Sequence, residues 1–153
     1  RALKLSDYVA EIMSTLSVSL KRHSVEWSLK GVNPDVMLDP GILTQVINNV
    51  VMNATVHAFS DDSVDKQINI VITESDDYAN ITISDNGKGM DEKTLAKIYE
   101  PFFTTKRGAG GTGLGMNIVY NLVVQNMKGK VFTKSTIDQG TSVTIQIPLI
   151  TTG

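Results

Sequence analysis

Residues 67–90 read QINIVITESDDYANITISDNGKGM, and this stretch decides the fold. From Gln67 to Glu74, and again from Asn80 to Ser84, apolar and polar residues alternate, which is the period of a strand with one buried face. Asp76 and Asp77 between them are turn formers, so the two runs predict an antiparallel hairpin. The second run leads directly into Asp85-Asn86-Gly87-Lys88-Gly89-Met90, and Asp91–Tyr99 predicts a short helix. A carboxylate at a strand end, followed by two glycines, suits a ligand that the backbone approaches closely. The Asp85 carboxylate can accept a hydrogen bond from an exocyclic amine such as that of adenine. An ordinary strand-to-helix turn explains the same residues if they are taken alone.

Upstream of the hairpin, Ser60–Lys66 is a polar loop, and about Gly41–Ala58 predicts a helix. Leu43, Val46, Ile47, Val50, Val51, Ala54 and Ala58 form its apolar face. Gln45, Asn49, Asn53 and His57 recur every fourth residue and form a polar stripe beside that face. Asn is a poor mid-helix residue, because its amide competes for backbone hydrogen bonds. A carboxamide oxygen is a hard neutral ligand suited to Mg²⁺, although a solvated helix face also accounts for the stripe. Further upstream, Met37–Leu38 predicts a short strand closed by Asp39–Pro40. Val25–Leu29, which holds the single Trp, predicts a strand ending at Gly31. Leu5, Val9, Ile12, Met13, Leu16 and Leu20 predict a helix from Ser6 to about His23, with Ser6-Asp7 as its N-cap.

Downstream, Tyr99-Glu100-Pro101-Phe102-Phe103-Thr104-Thr105-Lys106 precedes a Gly-rich polar stretch, Thr104–Thr112. Gly108–Gly115 then runs into a third long helix, Leu114–Met127. Backbone N–H groups at a helix start attract phosphate. The G-x-G-x-x-G match from Gly108 is weak, since no strand precedes it and Thr133 stands where an acid is expected. No Gly-Lys-Ser/Thr follows the glycines, which excludes a P-loop. Lys130–Ser135 and Thr141–Leu149 predict the last strands, around an Asp138-Gln139-Gly140 turn. Helices and strands in this order predict a two-layer α/β sandwich.

Composition narrows the function classes. The chain has 153 residues, 41% hydrophobic and 20% charged, which suits one domain, residues 1–153, with a real core. Fourteen Lys plus Arg against sixteen Asp plus Glu leave a net charge of −2, without the basic excess of a nucleic-acid binder. Cysteine is absent, which excludes disulfides, thiolate metal sites and cysteine nucleophiles. No apolar run is long enough to span a membrane. The chain opens at Arg1, so it is expected to be a piece of a longer protein.

Four motifs stand in order: QVINNVVMNATVHAF from Gln45, DNGKGM from Asp85, YEPFFTTK from Tyr99 and GGTGLGMNIV from Gly110. Together they resemble the N, first glycine, F and second glycine boxes of sensor histidine kinases. Gly140-Thr141 leading into SVTIQIPL resembles the family's closing motif. The resemblance runs from about Leu3 to Leu149. It implies a mixed, mostly antiparallel five-stranded sheet covered on one face by three helices, with an ATP lid at about residues 94–110. It further implies that Asn53 chelates Mg²⁺ on the phosphates of ATP, with Asn49 in the same site. Asp85 would take the adenine amine, Gly87 and Gly89 would let the base approach, and Thr141 would assist through water. Gly111, Thr112, Gly113, Leu114 and Gly115 would surround the phosphates, Lys106 would neutralise their charge, and His57 falls beside the nucleotide.

The sequence departs from the family at two places. Val56 stands where Lys or Arg often follows the Mg-binding Asn. No phosphoacceptor motif is present, since Ser24 follows His23 and Ala58 follows His57. The expected partners are therefore an acceptor-His hairpin domain of the same parent and, downstream, a response regulator. This piece is expected to be cytoplasmic and monomeric, from a parent that can be membrane-anchored. It should bind ATP without labelling itself. The related hydrolytic ATPases place Glu where Asn49 stands, and Asn cannot act as a base. A related ATPase, a protein-serine kinase and a non-catalytic ATP-sensing module stand as alternatives.

Overall fold

A computed structural model describes residues 2–59, 65–100 and 115–149. Strand β1 (Ala2–Lys4) leads into helix α1 (Leu5–Arg22), followed by β2 (Val25–Gly31) and β3 (Asp35–Met37). Helix α2 (Pro40–Asn53) continues as a π-helical turn over Ala54–Ala58. The hairpin β4 (Lys66–Glu74) and β5 (Tyr78–Asp85) precedes a single helical turn, α3 (Glu92–Leu95). Helix α4 (Gly115–Asn121) also ends in a π turn, Leu122–Asn126, before the hairpin β6 (Lys130–Thr136) and β7 (Gly140–Pro148).

The main sheet has five strands in the order β2-β4-β5-β7-β6. Only β2 and β4 run parallel, since α2 crosses between them; the remaining pairs are antiparallel. The expected five-stranded mixed sheet is therefore present. Four helices occur among the described residues rather than three, because the single turn α3 adds to α1, α2 and α4.

Alternation decides which sheet face is covered. Ile68, Ile70 and Ile72 of β4, Ile81 and Ile83 of β5, and Val143, Ile145 and Ile147 of β7 are all buried. They pack with Val9, Met13 and Leu20 of α1, Leu43, Val46, Ile47 and Val51 of α2, and Val119 of α4. Each such side chain contributes about 1.5–3 kcal/mol of transfer free energy. The opposite face is polar and cross-linked by hydroxyls, Thr82 with Thr144 at 3.2 Å and Ser84 with Ser142 at 2.8 Å.

Two local expectations need correction, and one strand was not anticipated. Ser6 does not cap α1, because the helix already starts at Leu5. Its first amides are capped from a distance, Asn33 Oδ1 accepting from Ser6 N at 2.7 Å and Asp7 N at 3.3 Å. Strand β1 carries no alternation in sequence, yet it pairs with β3 and buries Leu3 against Val36. The helix predicted over Asp91–Tyr99 is α-helical only from Glu92 to Leu95, capped by Asp91, whose side chain accepts from Thr94 N at 2.7 Å.

Candidate functional site

The apolar stripe on the covered face does not reach the strand ends. Along β5 it runs Ala79, Ile81, Ile83, and the next residue on that side is Asp85. Along β7 it runs Ile147, Ile145, Val143, and the next is Thr141. One carboxylate and one hydroxyl thus occupy positions that the pleat assigns to the core. A cavity of about 290 Å³ opens there, with Val50, Ile83, Met116 and Val143 among its apolar walls and Asn53, Asp85 and Thr141 among its polar ones. Apolar walls with few converging polar groups are typical of small-ligand sites.

Two backbone donors converge on Asp85 Oδ1, Gly87 N at 2.9 Å and Thr141 N at 3.2 Å. Among the described residues no hydrogen bond reaches Oδ2. Burial pushes the Asp85 carboxyl above its ordinary value of 3.8, and the two N–H donors only partly oppose that rise. The result is a fixed, incompletely solvated acceptor on the cavity wall.

The loop after Asp85 is held on every side. Asn86 extends the β4–β5 ladder with its side chain, accepting from Gln67 N at 2.9 Å and donating to Asp65 O at 2.8 Å. Lys88 N donates to Ala58 O at 2.8 Å, which satisfies a carbonyl at the end of the π turn. A Cβ on Gly87 would meet that same carbonyl oxygen at 2.2 Å. Gly87 is thus needed for packing against the helix end and does not line the cavity. Gly89, at φ +68°, does line it, and a Cβ there would meet Thr136 O at 2.0 Å.

The π turn shapes the opposite wall. Asn53, the last residue of α2, lines the cavity together with Ala54, His57 and Ala58, the three residues that the widened turn presents to it. Asn49, one turn earlier, is half-buried and does not line it. Gly115, the first residue of α4, packs directly on Asn53: a Cβ would meet Nδ2 at 2.4 Å. No group of three or more His, Cys, Asp or Glu among the described residues could hold a metal alone. A hard divalent cation here would use the Asn53 carboxamide oxygen and oxygens of its ligand, a donor set that suits Mg²⁺.

Of the site residues expected from sequence, the structure brings Asn53, His57, Asp85, Gly89, Gly115 and Thr141 to one cavity. Lys106, Gly111, Thr112, Gly113 and Leu114 lie outside the described residues. Lys88 and Thr133 also line the cavity and were not anticipated. Their signals were weak: Lys88 reads as loop polarity, and Thr133 as one more alternating strand residue.

Residues 38–151 match the family described as histidine kinase-, DNA gyrase B-, and HSP90-like ATPase. The sensor histidine kinase ZraS of Salmonella typhi is 32% identical over 153 residues, which is 98% of this chain and 31% of that protein. Sporulation kinase A of Bacillus subtilis is 36% identical over 110 residues, 72% of this chain and 17% of that protein. The chain thus spans less than a third of the length of these curated relatives. Among solved structures, the catalytic domain of histidine kinase ThkA superposes with a TM-score of 0.82 at 23% identity, covering 97% of both chains. Mycobacterial sensor histidine kinase MprB gives 0.78 at 22% identity, also covering 97% of both.

Proposed function

Because the chain belongs to the histidine kinase-, DNA gyrase B-, and HSP90-like ATPase family, as an ATP-binding catalytic domain of the sensor-histidine-kinase kind, we propose that it binds Mg-ATP in this cavity and donates the γ-phosphoryl group to a histidine on a separate domain. The observation that carries the reading is the placement of Asp85 and Thr141 at the open end of the core stripe, across one cavity from Asn53.

In this reading Asp85 accepts from the adenine amine, Thr141 assists, and Gly89 keeps the adjoining wall thin. Asn53 would hold Mg²⁺, with Asn49 one turn away and His57 lining the same cavity as the nucleotide would. Mg²⁺, when bound, neutralises phosphate charge. Gly111, Thr112, Gly113, Leu114 and Gly115 would offer backbone amides to the phosphates, and Lys106 would add a cation. Phosphoryl transfer mainly requires alignment and charge neutralisation, which such a frame supplies. The nucleophile is a neutral imidazole nitrogen of an acceptor hairpin domain in the same parent. Its bond to phosphorus forms as the bond to the ADP oxygen breaks, and the group passes onward to an Asp of a response regulator. Residues 1–153 form one catalytic domain of a longer, cytoplasm-facing kinase, monomeric by itself. No helix among the described residues is long and apolar enough to cross a membrane.

Asn49 cannot activate water as a carboxylate would, which favours transfer over vigorous hydrolysis. Val56, on the π turn, withholds a cation and is the one feature favouring an ATP-sensing module without transfer. Radiolabelled ATP given to this domain together with the parent's hairpin domain separates these readings. Acid-labile label on the hairpin is expected. Acid-stable label on serine, or nucleotide binding with no transfer, overturns the kinase reading.

A further inference from the structure

The hydroxyl of Ser135 is the hub of a three-way contact behind the cavity. It accepts from Met90 N at 2.8 Å, and it lies 3.1 Å from Gly140 O and 2.7 Å from Thr141 Oγ1. Ser135 and Thr141 face each other across the β6–β7 hairpin, so the contact is set by strand register. Ser135 does not line the cavity, whereas Thr141 does.

Proton counting gives one polarity in which all three contacts are hydrogen bonds at once. A hydroxyl has one hydrogen and two lone pairs. Met90 N–H takes one lone pair, and Gly140 O can only accept. The one arrangement that makes all three bonds has Ser135 donating to Gly140 O and Thr141 donating to Ser135 Oγ. Thr141 then spends its hydrogen inward and offers only lone pairs to the cavity. Asp85, beside it, is an acceptor as well.

We propose that Ser135 is a positioning residue that fixes Thr141 as a hydrogen-bond acceptor, so that this end of the cavity selects a 6-amino purine and rejects a 6-oxo purine. The inference rests on the nucleotide-binding reading above. An exocyclic amine in direct contact supplies its hydrogens to these acceptors. A 6-oxo group instead places a third acceptor at that point, while its purine carries the nearest hydrogen on ring N1, so position 6 has no hydrogen for either acceptor and unmatched buried acceptors are costly.

The test measures the affinities of this protein for ATP and GTP by calorimetry, in the wild type, Ser135→Ala, Ser135→Thr and Thr141→Ala. In Ser135→Ala the Thr141 hydrogen is released toward the cavity, and the preference for ATP over GTP should fall about tenfold. Ser135→Thr keeps the hydroxyl and should restore the preference. In a Thr141→Ala background, adding Ser135→Ala should leave the ATP-to-GTP ratio unchanged. A purely structural role, acting through Met90 N, would weaken both nucleotides alike. Equal weakening, or an unchanged ratio in Ser135→Ala, overturns the proposal. A wild type that binds neither nucleotide overturns the underlying reading instead.

Discussion

Gly115 and Asn53 are in such close contact that no other residue fits at position 115 without moving the carboxamide: a Cβ would meet Asn53 Nδ2 at 2.4 Å and Oδ1 at 2.8 Å. The start of α4 and the end of α2 are therefore fitted to each other at the polar rim of the cavity. The contact ties two sequence motifs more than sixty residues apart into one surface.

Gly115→Ala tests this fit. Alanine favours a helix interior by up to about 1 kcal/mol over glycine, less at this first position, and that gain offsets the displacement of one side-chain end, so stability should change little. The Asn53 carboxamide must swing away, and affinity for Mg-ATP should fall about tenfold or more. Calorimetry and thermal melting on the same sample read the two effects separately. Undiminished affinity would show that the carboxamide position is irrelevant to the ligand.

Asp85→Asn should lose adenosine binding and keep the fold. The raised Asp85 pKa means that the native state holds this proton more tightly than the unfolded chain. Its effect on stability is therefore most favourable below 3.8, is lost as pH rises through the elevated folded value, and stays flat above it. The asparagine variant has no such titration. Relative to it, the wild type should grow less stable as pH rises above 3.8 and through the elevated folded value, with no further change beyond it. Urea denaturation across that range measures the difference, and a trend in the opposite direction would mean that Asp85 is held by its N–H donors more than it is penalised by burial.

Gly87→Ala should act through folding. Its Cβ would overlap Ala58 O and strain the Lys88 N–Ala58 O bond. Overpacking of this kind costs about 1–3 kcal/mol, and chemical denaturation should register a loss in that range. A variant of normal stability with lost nucleotide affinity would instead give Gly87 a ligand role.

Asn33→Ala should cost about 1 kcal/mol through loss of a helix cap, whereas Ser6→Ala should be nearly neutral. The reverse ranking in denaturation midpoints would return the cap to Ser6.

The strands were legible because their buried isoleucines, Ile68, Ile70, Ile72, Ile81 and Ile83, keep strict alternation in sequence. Asp85 and Thr141 were legible through motif resemblance, yet their shared origin, two core positions given to polar side chains, emerges only from the β5–β7 register. Cap placement was not legible, since Asn33 lies 26 and 27 residues from the amides it serves. Nor were the π turns, because spacing by four fits an α-helix as well. Ser135 looked like one polar residue among several on a strand, and its importance depends on a partner across a hairpin.

Continuity between the hydrophobic stripe and the acid has a consequence for assembly of the sheet. Sliding β5 by a single residue would turn Asp85 to the far side and bring Ser84 inward. On the proposed reading, misaligned conformers would lack the adenine acceptor, and any nucleotide present during folding would draw the population toward the correctly zipped state.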